Sequence, residues 1–267
     1  MQFGFSTLGD LTWPLDRFAD ALKLSHYELI EVRGVNDAHI GPDASAEERQ
    51  RVRHLFESAG IGILSVTGYT SFTDRTRHSE EAAKLRAWLQ LASDLGAQYV
   101  RVFGGRLLTE QTPEDGLAAL AEGLRQVTAD AERLGVRIAL ETHDGFSSAA
   151  LAGQAASMLA SPHVKILWDV HHPLRTGESW EEAYEHLHNH LAYLHIKDAF
   201  PMPDGSEQLC LLGAGVLPVA DILRKLAKEG PDVPAVVEWE KAWHPELPDC
   251  RVAIPQHILK MRSYIQS

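Results

Sequence analysis

Cysteine is scarce in this chain. Cys210 and Cys250 are the only two among 267 residues, so at most one bridge can form. That excludes a disulfide framework and makes a reducing cytoplasm the expected setting. Long apolar runs are also missing: no stretch approaches the ~18 residues a membrane-spanning helix needs. The opening Met1-Gln2-Phe3-Gly4-Phe5 lacks the basic start and apolar run of a secretory signal, and no membrane partner is expected. Basic charge is in deficit, with 25 Lys and Arg against 37 Asp and Glu, a formal net of −12. Such a balance repels phosphate backbones, so nucleic acid is not an expected partner. A Gly-rich phosphate loop is absent as well. Ser6-Thr7-Leu8-Gly9 does not form one, and Gly213-Ala214-Gly215 comes late and lacks a third glycine. This counts against an open doubly wound sheet.

Apolar residues make up 45% of the chain and charged ones 23%, enough to bury a full core and too apolar for disorder. Short β-branched runs alternate with longer amphipathic segments. Strands are expected at 2–7, 27–32, 61–66, 98–103, 136–141, 165–169, 192–196 and 235–239. Between them, Leu85, Trp88, Leu89, Ala92 and Leu95 repeat at helical spacing, as do Leu117, Leu120, Ala121, Leu124, Val127 and Ala131. A last helix is expected at about 252–265. Ser45-x-x-Glu48 and Ser179-x-x-Glu182 read as capping boxes, and Thr112-Pro113 places proline at a first helical position. Gly60, Gly96, Gly135 and Gly230 read as left-handed helix ends. Eight βα units of roughly 33 residues each describe a single (β/α)8 TIM barrel spanning residues 1–267, with little room for insertions.

Chemistry in such a barrel sits at the C-terminal ends of its strands. Four consecutive strands there end on charged or imidazole residues after an apolar run: Glu141-Thr-His143, Asp169-Val-His-His172, His195-Ile-Lys-Asp198 and Glu238-Trp-Glu240. A carboxylate in that position is costly to bury unless it is paired or bound to metal. Each residue alone has a plainer reading. Glu141 has Arg101 or Arg137 as possible partners, Asp169 a turn to cap, Glu238 the Lys197 ammonium, and His195 a place in a satisfied core. Converging on one barrel mouth, however, they would repel one another without a cation. Two or three carboxylates with one neutral histidine suit one divalent ion, Mn²⁺, Mg²⁺, Co²⁺ or Zn²⁺. Lys197 shares strand parity with His195 and is expected to face substrate oxygens, and Glu240 shares parity with Glu238. Of the 14 histidines, His186, His188 and His190 fall late in a helix and are assigned to a solvated face. Met158 and Met202 read as packing residues. Arg33, Arg106 and Lys241 are candidate partners for an anionic substrate group. Trp13, Trp180 and Trp243 are candidate pocket walls or anchors of a homo-oligomer interface.

The Glu-Thr-His of 141–143, Asp-x-x-His of 169–172, His-Ile-Lys-Asp of 195–198, Leu-Gly-x-Gly of 212–215 and the late Glu238 resemble the xylose-isomerase-like superfamily, and within it the sugar-phosphate isomerase/epimerase group. The resemblance implies metal ligands at Glu141, Asp169, His195 and Glu238. It makes Glu141 and Glu238 the pair that moves protons on opposite faces of a small sugar-like substrate. It assigns His172 to substrate oxygens, although strand alternation points His171, not His172, the same way as Asp169. Two departures weaken ketose 3-epimerisation as such: Pro201 and its neighbours stand where an arginine follows the strand-seven histidine, and Ser147 replaces a glutamate. Lys197-Asp198 is closer to hydroxypyruvate-isomerase and inosose-type patterns, so an inosose-type dehydratase is the alternative on the same site.

Two rivals belong to other classes. Endonuclease-IV-type repair enzymes share the barrel but need extra histidines at the ends of strands three and four, where Val66-Thr-Gly-Tyr69 and Val102-Phe-Gly-Gly105 have none. The Asp-x-His expected after strand seven is also missing. A non-catalytic barrel binding sugar or metal as a sensor would not need two glutamates at the strand ends.

Overall fold

In the computed structural model, which describes residues 1–34, 39–230 and 232–266, eight parallel strands close into a barrel. They are β1 (Phe3–Ser6), β2 (Leu29–Arg33), β3 (Gly62–Thr67), β4 (Tyr99–Phe103), β5 (Arg137–Glu141), β6 (Val164–Asp169), β7 (Leu191–Ile196) and β10 (Ala235–Val237). The order β1-β10-β7-β6-β5-β4-β3-β2 returns on itself, so no edge is left open. An antiparallel hairpin follows β7: β8 (Asp198–Pro201) pairs with β9 (Glu207–Cys210). The hairpin is not among the eight strands expected from periodicity; Pro201 and the polar 203–207 stretch carry no apolar alternation. No helix among the described residues is long and apolar enough to cross a membrane.

Two apolar layers hold the barrel. Outside it, helix faces pack on the strands. Leu85, Trp88, Leu89, Ala92 and Leu95 are buried on the helix His78–Leu95. The next apolar stripe is split between Pro113–Arg125 and Thr128–Leu134, with the break at Gln126-Val127, yet all six stripe residues stay buried. The stripe continues because packing, not helix continuity, selects the buried face. Inside the barrel, Leu29, Leu64, Tyr99, Ala139, Leu167, Ala192, Tyr193 and Val236 form a separate plug.

Several local signals take the form their chemistry dictates. Thr112 caps its helix, accepting from Asp115 N–H. Ser179 and Glu182 make the full reciprocal box, whereas Ser45 accepts from Glu48 N–H without the return bond. Gly60, Gly96 and Gly135 end their helices in the left-handed conformation. Gly230 does not: its backbone is extended (φ −87°, ψ 167°), as expected for a residue preceding proline, whose ring disfavours compact backbone before it. Met158 is 45% exposed and is not a packing residue. Trp13 is neither pocket wall nor interface anchor; it is buried in the core beside Phe18, with the Arg17 guanidinium over its ring.

The last helix, Cys250–Gln266, buries His257 completely. Its Nδ1–H donates to the Ala253 carbonyl at 2.7 Å, and its ring meets Trp239 edge-on. Burial pushes the imidazole down to about 4 against the opposing pull of that hydrogen bond. The unfolded chain takes its proton near pH 6.5. This residue therefore contributes full stability above that value, loses it as pH falls towards 4, and changes little below. The loss is on the order of 3 kcal/mol. His257→Leu should flatten the pH dependence of urea stability over that window by a comparable amount. Superimposable pH profiles for the two proteins would contradict the assignment.

Candidate metal centre

Strand pleating sorts six strands into three tiers. The apolar plug contains Leu29, Tyr99, Ala139, Leu167, Tyr193 and Val236. Two residues later, on the same face of each strand, stand Glu31, Arg101, Glu141, Asp169, His195 and Glu238, all buried. Two further on come Arg33, Phe103, His143, His171, Lys197 and Glu240. A charged layer thus lies directly on an apolar one, and Phe103, His143, His171, Lys197 and Glu240 line a cavity of about 1100 Å³ above it.

The middle tier brings together the four residues expected as ligands. One donor atom each from Glu141, Asp169, His195 and Glu238 lies within 4.8 Å of the other three. Donors held ~2.1 Å from a common divalent ion span up to about 4.2 Å, so a small side-chain adjustment would seat one. Three carboxylates and one imidazole are also a donor set that fits such an ion. Asp169 Oδ2 is buried and accepts no hydrogen bond, although Lys197 Nζ lies 2.9 Å away in ion-pair range.

The plainer reading of each carboxylate is realised at the same time, on its other oxygen. Glu141 Oε2 accepts from Arg101 Nη1 at 2.8 Å, while Oε1 lies 3.2 Å from His195 Nδ1. Arg137 is not the partner; its guanidinium meets the Tyr99 hydroxyl. Asp169 Oδ1 accepts from the backbone N–H groups of His171 and His172, capping the turn, which leaves Oδ2 for the cluster. Glu238 Oε2 accepts from Lys197 Nζ at 2.5 Å, and Oε1 lies 3.4 Å from His195 Nδ1. Glu240 also accepts from Lys197. Burial alone would raise the carboxylates, but Arg101 and His195 hold Glu141 at about 2, and Lys197 and His195 hold Glu238 at about 2.

Glu31 is the member that sequence reasoning missed. Both its oxygens lie 3.1 Å from His195 Nε2, and Oε2 accepts from the Tyr193 hydroxyl at 2.7 Å. Ser65 Oγ lies 3.0 Å from the same hydroxyl. The signal was present in Leu29-Ile-Glu31-Val-Arg33, where charges alternate with apolar residues, but nothing in the chain says that position 31 faces position 195.

Strand β6 ends at Asp169, and a short helix begins at His172. His172 therefore turns into the cavity as the resemblance implies, with Nε2 3.8 Å from Asp169 Oδ2. His171 reaches the cavity too, by parity, and meets Glu207 of the hairpin at 2.9 Å. Trp243 is a cavity wall, and His186, His188 and His190 stay clear of the lining. Lys197 and Asp198 part at the pleat. The lysine enters the cavity, whereas Asp198 accepts from the N–H groups of Gly213, Gly215 and Leu217. A Cβ on Gly215 would lie 2.2 Å from Asp198 Oδ1. The Leu-Gly-x-Gly stretch is thus a loop clamped by a carboxylate.

The chain belongs to the xylose isomerase-like TIM barrel family, whose model matches residues 18–254. Inosose dehydratase from Geobacillus kaustophilus (strain HTA426) is 23% identical over 168 residues, covering 57% of this chain and 54% of that protein. The chain thus aligns with about half the length of that relative. D-psicose 3-epimerase from Clostridium cellulolyticum H10, solved with D-tagatose, superposes with a TM-score of 0.79 at 16% identity over 99% of both chains. The IolI protein solved with a bound zinc atom gives 0.78 at 18% identity, over 100% of this chain and 98% of that one. At these identities the two structures share the fold.

His195 faces carboxylate oxygens from both ring nitrogens. Burial disfavours its charge, but Glu238, Glu31 and Glu141 outweigh that and raise its affinity for a proton well above the ordinary value. A histidine must give up its extra proton to ligate a metal. Loading the centre at neutral pH should therefore release protons, read by calorimetry in buffers of different ionisation enthalpy. Heat independent of the buffer would show that His195 was neutral beforehand.

Proposed function

We propose that this protein is a divalent-metal-dependent isomerase or epimerase of a small sugar-like hydroxycarbonyl compound, acting in the cytoplasm on neither nucleic acid nor membrane. The observation that carries this reading is the placement of Glu141 and Glu238 at the C-terminal ends of two different strands, β5 and β10, each with one oxygen turned to the shared cluster beside His195 Nδ1. Glu141, Asp169, His195 and Glu238 would hold the ion. When bound, it would supply the Lewis acidity that polarises a carbonyl and makes the neighbouring C–H acidic.

The remaining work falls to the chain. Glu141 and Glu238 stay ionised at neutral pH, since both sit near 2, and so each has a lone pair ready for a proton. Such weak bases need an acidified C–H, which fits a substrate whose carbonyl is held beside them. One glutamate takes the proton, and the C–H electron pair moves towards the carbonyl oxygen to leave an ene-diolate. Return of a proton to the same carbon from the opposite face gives epimerisation; return to the neighbouring carbon gives isomerisation. Lys197 lies between Asp169 and Glu238 and presents an ammonium to substrate oxygens. His172 offers a further donor from the cavity wall, and Phe103 and Tyr69 give apolar surface for C–H faces.

Dehydration is a second reading, favoured by the match to inosose dehydratase. It shares the proton abstraction, after which a β-hydroxyl leaves as water.

Assay of ketoses, inososes and small hydroxycarbonyl compounds with Mn²⁺ in D₂O tests the common step, because the abstracted position should take up deuterium. Glu141→Gln and Glu238→Gln should each lower exchange by about 10²–10⁴-fold, with circular dichroism unchanged. Asp169→Ala should lose the ion. A Glu141→Gln, Glu238→Gln double variant that turns over an identified substrate at the wild-type rate would refute the mechanism.

A further inference from the structure

The sequence offers three cations for an anionic substrate group, and the structure removes two. Arg106 points into solvent, its side chain 90% exposed, with Asp144 3.6 Å away. Lys241 is spent on the carbonyls of Pro245 and Leu247. Arg33 differs from both. It is 2% exposed, and its Nε and Nη1 have no hydrogen-bond partner among the described residues. No carboxylate of those residues lies within ion-pair distance of it.

A guanidinium is rarely buried without a partner, because each unmade hydrogen bond leaves its desolvation uncompensated. Among the described residues, what the Arg33 guanidinium meets is aromatic: its Cζ lies 4.8 Å from the Trp243 ring centroid and 5.6 Å from that of Tyr69. Ring faces attract the cation but leave the in-plane N–H donors free. Both rings line the cavity. Trp243 is 56% exposed, so little packing resists its displacement. Strand parity fixes the height of Arg33. It stands two residues beyond Glu31 on β2, one tier above the His195 cluster, or about 6.6 Å along the strand. Arg101, the other arginine against Tyr69, is already bound to Glu141.

We propose that Arg33 anchors an oxyanion subsite one tier above the metal centre, so that the substrate carries a carboxylate or phosphate beyond its reacting carbons. In a chain of net charge −12, a buried cation whose Nε and Nη1 are unpaired among the described residues is the feature that draws an anion into an otherwise acidic barrel. The hydroxycarbonyl half of this substrate rests on the function proposed above; the anionic half rests on Arg33 alone.

Three probes that share one hydroxyketone unit separate the possibilities: dihydroxyacetone, hydroxypyruvate and dihydroxyacetone phosphate, titrated by calorimetry into Mn²⁺-loaded protein. Wild-type protein should bind at least one anionic probe about 10- to 100-fold more tightly than the neutral one. The tighter of the two identifies carboxylate or phosphate as the group. Arg33→Met should abolish that preference while leaving dihydroxyacetone binding unchanged, and Arg33→Lys should keep part of it. Equal affinity of the wild type for all three probes overturns the proposal without reference to any variant. So does an Arg33→Met protein that keeps the preference, or one that weakens all three probes alike. Absence of deuterium exchange alongside an intact anion preference would remove the reaction and leave the subsite standing.

Discussion

Four carboxylates, Glu31, Glu141, Asp169 and Glu238, share the middle tier of one closed barrel, each almost wholly buried. Left to themselves they would repel one another and lose hydration at a cost of several kcal/mol per ion. Every other feature of the site answers that constraint. Arg101 takes one oxygen of Glu141, Lys197 lies among Asp169, Glu238 and Glu240, and His195 faces Glu31 with Nε2 and Glu141 and Glu238 with Nδ1. The apolar plug beneath them keeps water from relieving the charge from the other end of the barrel.

Glu141, Asp169 and Glu238 meet the constraint by dividing their two oxygens. One oxygen is committed to the fold, through a guanidinium, an ammonium or a pair of backbone N–H groups. The other is left facing the cluster. The structural and functional readings of these residues therefore do not compete, since the committed oxygen orients the free one. A centre built this way is preorganised by interactions that also stabilise the barrel. The same fork explains the strong pull on the carboxyl protons of Glu141 and Glu238, which keeps both groups charged well below neutral pH.

Much of this was legible because strands and helices write their period into the chain. The eight strand runs, the stripe of Leu85 to Leu95, the Thr112 cap and the three left-handed glycines are local, set by sterics and side chains within a few residues. Errors cluster where distant partners decide. The helix break at Val127 leaves its apolar stripe intact and so leaves no trace in the pattern. Met158 fits an apolar period yet meets solvent. The β8–β9 hairpin lines the cavity with Glu207, which meets His171 and Arg175 at the end of β6 and on the short helix that follows. Gly230 is a local failure with a local reason, the proline that follows it.

The sequence by itself determined which side chains face inward and at what height. Pleating alternates with period two, and the apolar runs mark where each strand stops. It therefore placed Glu141, Asp169, His195 and Glu238 in one tier. What it could not determine is which residues meet across the barrel. Glu31 and His195 are 164 positions apart and touch only because β2 and β7 are brought to opposing walls by closure. Arg33 is likewise set apart from Arg106 and Lys241 only by the fold, which buries its guanidinium under Trp243 and Tyr69. Closure depends on the summed twist and register of all eight strands, a property that no single strand carries.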